Sequence, residues 1–65
     1  MQQAIIHGIR RDDGIRVYWL EGNDTKNTLV TYQELIAMRI NALDLLNNPD
    51  AYTIDTDARS IAMRK

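Results

Sequence analysis

One stretch of the sequence, residues 31–49, constrains the fold more than any other. Thr31 and Glu34 have the spacing of a capping box, in which two side chains satisfy free N–H groups at the start of a helix. No glycine or proline follows until Asn47-Asn48-Pro49, where asparagine can take a left-handed conformation and proline cannot continue a helix. The sequence therefore predicts a single helix at about residues 32–47.

Two runs before this helix have the composition of β-strands. Residues 3–11 and 15–21 are rich in β-branched and aromatic residues, and Asp12-Asp13-Gly14 separates them. We expect a three-residue loop with its glycine in the left-handed conformation, so that Arg11 pairs with Ile15. A two-residue turn is the alternative, and it would exchange the faces of one strand.

The three-residue loop gives the first hairpin one nearly apolar face. Odd positions of both strands then share that face, and the predicted core residues are Ile5, His7, Ile9, Ile15, Val17 and Trp19. Ile6, Tyr18 and Leu20 lie on the opposite face, which is not strongly polar either. The hairpin therefore predicts a sheet with one buried face and one partly apolar free face.

The remaining segments complete a small fold. Residues 22–27 are predicted as a polar loop, and residues 28–30 either add a short strand or lead into the helix. Beyond the helix, residues 51–55 and 59–64 are predicted strands around a turn. This order predicts an α+β fold in which a small antiparallel β-β-α-β-β sheet packs on one helix, as a single domain over residues 1–65. Such a size and order are typical of short bacterial or phage proteins.

Composition narrows the function classes. The 65-residue chain has no cysteine, which excludes disulfides and thiolate metal sites and leaves oligomerisation as a source of extra stability. The net charge of −1 gives no field that would attract nucleic acid or a membrane surface. Because no signal-peptide pattern or membrane-length apolar run is present, we expect a cytoplasmic location and no membrane partner.

The apolar side of the predicted helix is too broad for one small sheet to cover. Its arc is about twice the ~100° that a core-facing helix usually presents. Arg39 lies near the centre of this arc, where it either reaches Asp55 or Asp57 past the core or meets an acidic group on another molecule. The sequence therefore predicts a self-association interface that contains Arg39, Leu43, Leu46, Ile40, Tyr18 and Leu20.

No pattern of residues predicts catalysis or metal binding. His7 is the only histidine, and no orienting partner for it can be named. The pairs Asp12-Asp13 and Asp55-x-Asp57 lack the further oxygen ligands of a calcium loop, and turn formation explains both. We therefore expect no enzymatic activity and no cofactor.

Basic residues at the first hairpin support a second interpretation. Arg10, Arg11 and Arg16 gather near its tip beside Tyr18, and arginine with an aromatic neighbour can contact phosphates and stack on bases. The acidic pair at the same tip would repel phosphates. The sequence thus favours a non-enzymatic protein-interaction module that forms a homodimer and can take a larger protein partner. A small nucleic-acid-binding regulatory protein is the alternative.

Overall fold

The computed structural model describes residues 2–64 as one antiparallel sheet with helices on one side. The strand order is β3-β2-β1-β4-β5. The fold is therefore α+β. In chain order, its elements are β1 (Gln2–Arg10), β2 (Gly14–Glu21), β3 (Asp24–Thr31), α1 (Tyr32–Ala37), α2 (Ala42–Asn47), a 3-10 turn (Pro49–Ala51), β4 (Tyr52–Asp55) and β5 (Ser60–Met63).

The predicted single helix at residues 32–47 is wrong, because two six-residue helices occupy this stretch. Its predicted start is confirmed: the Thr31 hydroxyl accepts from the Glu34 N–H, and the Glu34 carboxylate accepts from the Thr31 N–H. Its predicted end is confirmed as well, since α2 ends at Asn47 before Pro49. Only the prediction of one unbroken helix between these two ends is wrong.

The break between the helices is a left-handed helix end that uses arginine instead of glycine. Arg39 has a φ of 60°, its N–H donates to Ile36, and the Ile40 N–H donates to Leu35. These two bonds form the Schellman pattern, which satisfies carbonyls at the end of α1. Asn41 then caps α2 by accepting from the N–H of the third helical residue. The break turns the chain, so that the two helices reach the core separately.

The predicted register of the first hairpin is also wrong. Arg10, and not Arg11, pairs with Ile15, and a bulge at Ile6 shifts the ladder between its neighbours. The bulge restores the predicted inward position of Ile5 opposite Trp19. A bulge inserts one unpaired residue into a strand and so reverses the alternation beyond it.

Because of this reversal, two residues that were predicted in the core lie on the other face of the sheet. Ile5, Ile15, Val17 and Trp19 are buried as predicted, whereas His7 and Ile9 are exposed on the side without helices. They pair with Tyr18 and Arg16, which also lie on that side. We call the helix-covered side the inner face and the other side the outer face.

Gly14 is required by space and not by a left-handed conformation. It is the first residue of β2, it pairs with Thr31, and its φ is not positive. A Cβ at this position would lie 2.1 Å from the Val30 carbonyl oxygen and 2.7 Å from the Thr31 Cα. Any side chain would therefore push β3 away from β2.

The predicted loop over residues 22–27 is mostly strand. Gly22, with a φ of 62°, makes a tight turn, and Glu21 already pairs with Asp24 beyond it. Strand β3 lies at the edge of the sheet, and its first four residues are exposed. Polar residues suit such a position, which is why composition alone suggested a loop.

The core fills the inner face. The buried residues from the strands are Ile5, Ile15, Val17, Trp19, Val30, Tyr52, Ile54 and Ile61, and the helices add Leu35 and Leu45. The predicted last strand is confirmed as β5, whose Ile61 reaches this core. Neither α-helix found within residues 2–64 has the length and apolar character that crossing a bilayer requires.

The sheet curls until its two edges come close at one end. Arg59, in the turn between β4 and β5, donates from Nη2 to the Leu29 carbonyl of β3 at 2.8 Å. The same group lies 3.7 Å from the Glu34 carboxylate in α1. Because β3 is one edge of the sheet and Arg59 precedes the strand at the other edge, this side chain links the two edges.

Candidate functional site

The outer face is centred on Tyr18. Across the ladders, Tyr18 pairs with His7 on one side and with Asn27 on the other. The next row towards the hairpin tip is Leu29, Arg16 and Ile9. Side chains of one strand alternate between faces, so residues two apart along β2 are neighbours of Tyr18. Tyr18 is therefore surrounded on the outer face by Ile9, Leu20, Leu29, His7, Arg16 and Asn27.

This surface carries aliphatic side chains where a sheet face in contact with water would usually be polar. Leu20 is 48% exposed and Ile9 is 38% exposed, while Tyr18 and Leu29 are half-buried by their neighbours. Antiparallel sheets with one solvated face usually place polar residues there. Aliphatic residues around a tyrosine are instead typical of the centre of a protein interface.

Two contacts hold polar side chains in place around Tyr18. Arg16 Nη1 donates to Asn27 Oδ1 at 2.7 Å. The His7 and Tyr18 rings lie with their centroids 5.9 Å apart and their planes tilted by 40°. Both pairs bridge adjacent strands, so these side chains are already ordered before any partner arrives.

The structure does not unite the interface that the sequence predicts. Tyr18 and Leu20 lie on the outer face, whereas the other four residues belong to the helical segment on the inner side. Of those four, Leu43 is 67% exposed and Arg39 is exposed, while Ile40 and Leu46 pack partly against the core. The six residues therefore form two separate surfaces.

The helix break removes the argument for an over-wide apolar arc. With α1 and α2 separated by a left-handed turn, Leu35 and Leu45 both reach the core, and each is at most 1% exposed. Arg39 does not lie on an apolar helix face, because it occupies the turn between the helices.

The hairpin arginines are also divided by the register. Arg16 pairs with Ile9 and lies on the outer face, whereas Arg10 pairs with Ile15 and belongs to the opposite side of the ribbon. Arg11 lies in the tip, where its carbonyl accepts from the Tyr32 hydroxyl at 2.8 Å. The tip, with the exposed Asp12 and Asp13, is thus fixed against the start of α1.

A hydrogen-bonded carboxylate at α2 serves the fold. The Tyr52 hydroxyl donates to Asp44 at 2.5 Å, and Asn48 donates to the other oxygen of the same carboxylate at 3.0 Å. These bonds, the one from Tyr52 first, hold the pKa of Asp44 below its usual value. The same bond raises the pKa of Tyr52. Since Tyr52 is 2% exposed, this pair links α2 to a core strand.

Two further carboxylates are occupied by backbone groups. The Thr31 N–H, more than Arg59, lowers the pKa of Glu34. Asp55 accepts from the N–H groups of Ala58 and Asp57, which lowers its pKa and forms the predicted turn. Among the described residues, no three His, Cys, Asp or Glu side chains are grouped so that they could hold a metal ion.

Comparison of the chain with protein-family models, curated proteins and solved structures gave no match. The surface around Tyr18 is thus interpreted from its own geometry. Sequence reasoning missed Ile9 and Leu29 as members of this surface. The bulge that exposes Ile9 has no local signal in the sequence. Leu29 lies two residues before the Thr31 cap, and a longer predicted β3 would have placed Leu29 on a face of the sheet.

Proposed function

We propose that this protein is a non-enzymatic interaction module that self-associates and presents the outer face of its sheet to protein partners. The observation that carries this proposal is Tyr18, set among the exposed aliphatic residues Ile9 and Leu20 with Arg16 ordered beside it. Tyrosine and arginine are enriched among the residues that dominate binding energy at interfaces. A small core gives an added reason to associate.

The charged groups support a binding function over catalysis. Glu34, Asp44 and Asp55 are hydrogen-bonded in caps, a core link and a turn, and none lies beside His7 on the outer face. A general base needs an orienting partner and a substrate within hydrogen-bond reach. The outer face instead offers ring and aliphatic surface, which suits contact with another protein.

Analytical ultracentrifugation over a concentration series tests self-association. We expect a monomer–dimer equilibrium in the micromolar range. A double variant Tyr18→Ala/Leu20→Ser removes the centre of the outer face, and a loss of association of tenfold or more, about 1.4 kcal/mol, would assign the dimer contact to that face.

Leu43→Ser is the control, because Leu43 is an exposed leucine on the helical side, 67% accessible against 48% for Leu20. It should leave the equilibrium unchanged. A wild-type chain that remains monomeric at millimolar concentration would overturn the proposed self-association. If Leu43→Ser weakens the dimer and the double variant does not, the helical surface is the interface.

Nucleic-acid binding is the second candidate, and it is favoured by one observation. Two rings, His7 and Tyr18, lie beside Arg16 on the face formed by the first three strands. Aromatic rings and arginine can stack on bases and contact phosphates.

A titration of single-stranded DNA and RNA at two salt concentrations separates the two functions. Phosphate contacts strengthen as salt is lowered. Binding at low salt that Arg16→Ala weakens and Arg10→Ala does not would support this second candidate on the outer face. No binding at low salt would exclude it and leave the protein-interaction proposal as it stands.

A further inference from the structure

The two edges of the sheet differ in how well they are protected. Strand β5 has four residues, and the Ile61 N–H on its free side donates to the Met38 sulfur at 3.2 Å. Strand β3 has eight residues and pairs with β2 throughout without any irregularity. A long, regular edge strand offers unpaired backbone groups to another strand. Of the two edges, β3 therefore offers the longer run of backbone groups to a further strand.

Two backbone groups on the β3 edge already have hydrogen-bond partners within the chain. They show which backbone groups of β3 point away from β2. The Leu29 carbonyl accepts from Arg59 and the Thr31 N–H donates to Glu34, so odd residues direct their backbone groups away from β2. The same alternation applies to Thr25 and Asn27. Among the described residues, their N–H and C=O groups and the Leu29 N–H therefore face outward without a backbone partner.

We infer that this free stretch of β3 pairs antiparallel with the same stretch of a second copy of the chain, with Asn27 opposite Asn27. The inference rests on the self-association proposed above and names one contact that produces it. The two sheets then continue into each other, and their outer faces join into one surface.

Two features determine the register of the pairing: the Leu29 carbonyl that already accepts from Arg59, and the positive charge of Lys26. With Asn27 at the centre, Thr25 lies opposite Leu29 of the second copy, and its carbonyl accepts the free Leu29 N–H while Arg59 keeps the Leu29 carbonyl. Lys26 then lies opposite Thr28. A register with Thr25 opposite Asn27 would place Lys26 directly opposite itself, and like charges in that position are destabilising.

The side chain of Asn27 is hydrogen-bonded within its own chain. Its Oδ1 accepts from Arg16, which leaves the carboxamide NH2 as a donor beside the central pair.

A proline at the centre of the contact tests the inference. Asn27→Pro removes an outward N–H that the monomer does not use, and edge strands tolerate proline there. The apparent mass in ultracentrifugation should fall from that of two chains to that of one, with an unchanged circular dichroism spectrum. Asn27→Ala is the control, because it keeps the backbone N–H and should remain dimeric.

Cysteine crosslinking tests the register even if the proline variant fails to fold. The chain has no cysteine, so a single Asn27→Cys provides the only thiol. In the inferred register its two copies lie with Cα atoms about 5.5 Å apart, within the range of a disulfide. Two copies of Thr25→Cys lie about 14 Å apart along the strands and should remain reduced.

The outcomes separate this inference from the function on which it rests. A wild-type monomer at high concentration overturns both. A wild-type dimer that survives Asn27→Pro with its fold intact overturns the β3 contact and leaves self-association standing. Crosslinking of Thr25→Cys as fast as Asn27→Cys also overturns the register. Crosslinking of Asn27→Cys alone, together with a monomeric proline variant, supports it.

Discussion

The two helices are alike in length but are held in different ways. Each has six residues and buries one leucine, Leu35 in α1 and Leu45 in α2. Each also has a carboxylate at its third position. In α1 this group, Glu34, turns back to the N-cap, whereas in α2 Asp44 binds Tyr52 in the core sheet. Helices this short are marginal alone. Thus both helices are capped at their starts, but only the carboxylate of α2 links its helix to a strand of the core sheet.

The largest expected effect comes from the buried leucine that each helix contributes to the core. Leu45→Ala and Leu35→Ala should each lower the free energy of unfolding by about 2–5 kcal/mol, because each leaves a cavity in a small core. Urea unfolding followed by circular dichroism measures the change. Leu43→Ala, on the exposed side of α2, is the control and should stay within about 0.5 kcal/mol of wild type. Equal losses at residues 43 and 45 would contradict the described packing of α2.

The link between α2 and the sheet comes next. Tyr52→Phe removes the hydroxyl that donates to Asp44 and keeps the ring, so we expect a loss of about 1.5 kcal/mol in urea unfolding. Amide hydrogen exchange should show faster opening of α2 and no change in α1. Tyr18→Phe is the matched control, because it deletes a tyrosine hydroxyl on the outer face. If α1 opens as readily as α2 in Tyr52→Phe, the two helices are one cooperative unit and the comparison fails.

The local cap of α1 should matter less. Thr31→Ala removes the hydroxyl that accepts from the Glu34 N–H and should cost about 1 kcal/mol. Thr31→Ser keeps an acceptor and should restore most of this loss. In contrast to Tyr52→Phe, Thr31→Ala should speed amide hydrogen exchange in α1 and leave exchange in α2 unchanged.

The junction between the helices offers a small gain in stability. Arg39→Gly relieves the left-handed conformation of a residue with a Cβ, and we expect it to raise the unfolding free energy by up to about 1 kcal/mol. Arg59→Gly is the informative counterpart, since Arg59 has a φ of 52° but also contacts Leu29 and Glu34. It should lower stability. A loss in Arg39→Gly would show that the arginine side chain contributes more than its conformation costs.

The smallest expected effect is the pH dependence of stability that comes from the carboxylates of the two helices. The pKa values of Asp44 and Glu34 are both lower in the folded chain, so the unfolded chain binds protons more readily as pH falls. The associated stability is present above about pH 4, the ordinary range of carboxyl groups, and is lost as pH falls through the lowered values. Because its main cause at Asp44 is Tyr52, the unfolding midpoint of Tyr52→Phe should depend less steeply on pH than that of wild type.

The elements that the sequence predicted are those that local chemistry determines. The capping box needs only Thr31 and Glu34, and the turn at Asp55 needs only the two N–H groups after it. The helix break was missed because no glycine marks it. Its local signal was Asn41 followed by Asp44, a second cap inside what looked like a continuous apolar helix.

The register and the surface could not be predicted because they depend on distant residues. Strand β1 pairs with β4 through Gln2–Ala4 and with β2 through its remaining length, and the bulge at Ile6 allows it to serve both. Alternation along a single strand contains no information about such a change of partner. The error moved His7 and Ile9 to the wrong face, and with them half of the surface around Tyr18.

The change of partner along β1 also sets an order for folding. The half of β1 that pairs with β2 meets its partner across a short turn, whereas residues 2–4 wait for residues 53–55, which are made about fifty positions later. During synthesis, the first three strands and α1 can assemble while the beginning of the chain stays unpaired. A chain shortened before β4 would keep the pairing of β1 with β2 but leave residues 2–4 without the strand that they pair with, so this part of β1 needs β4 in order to fold.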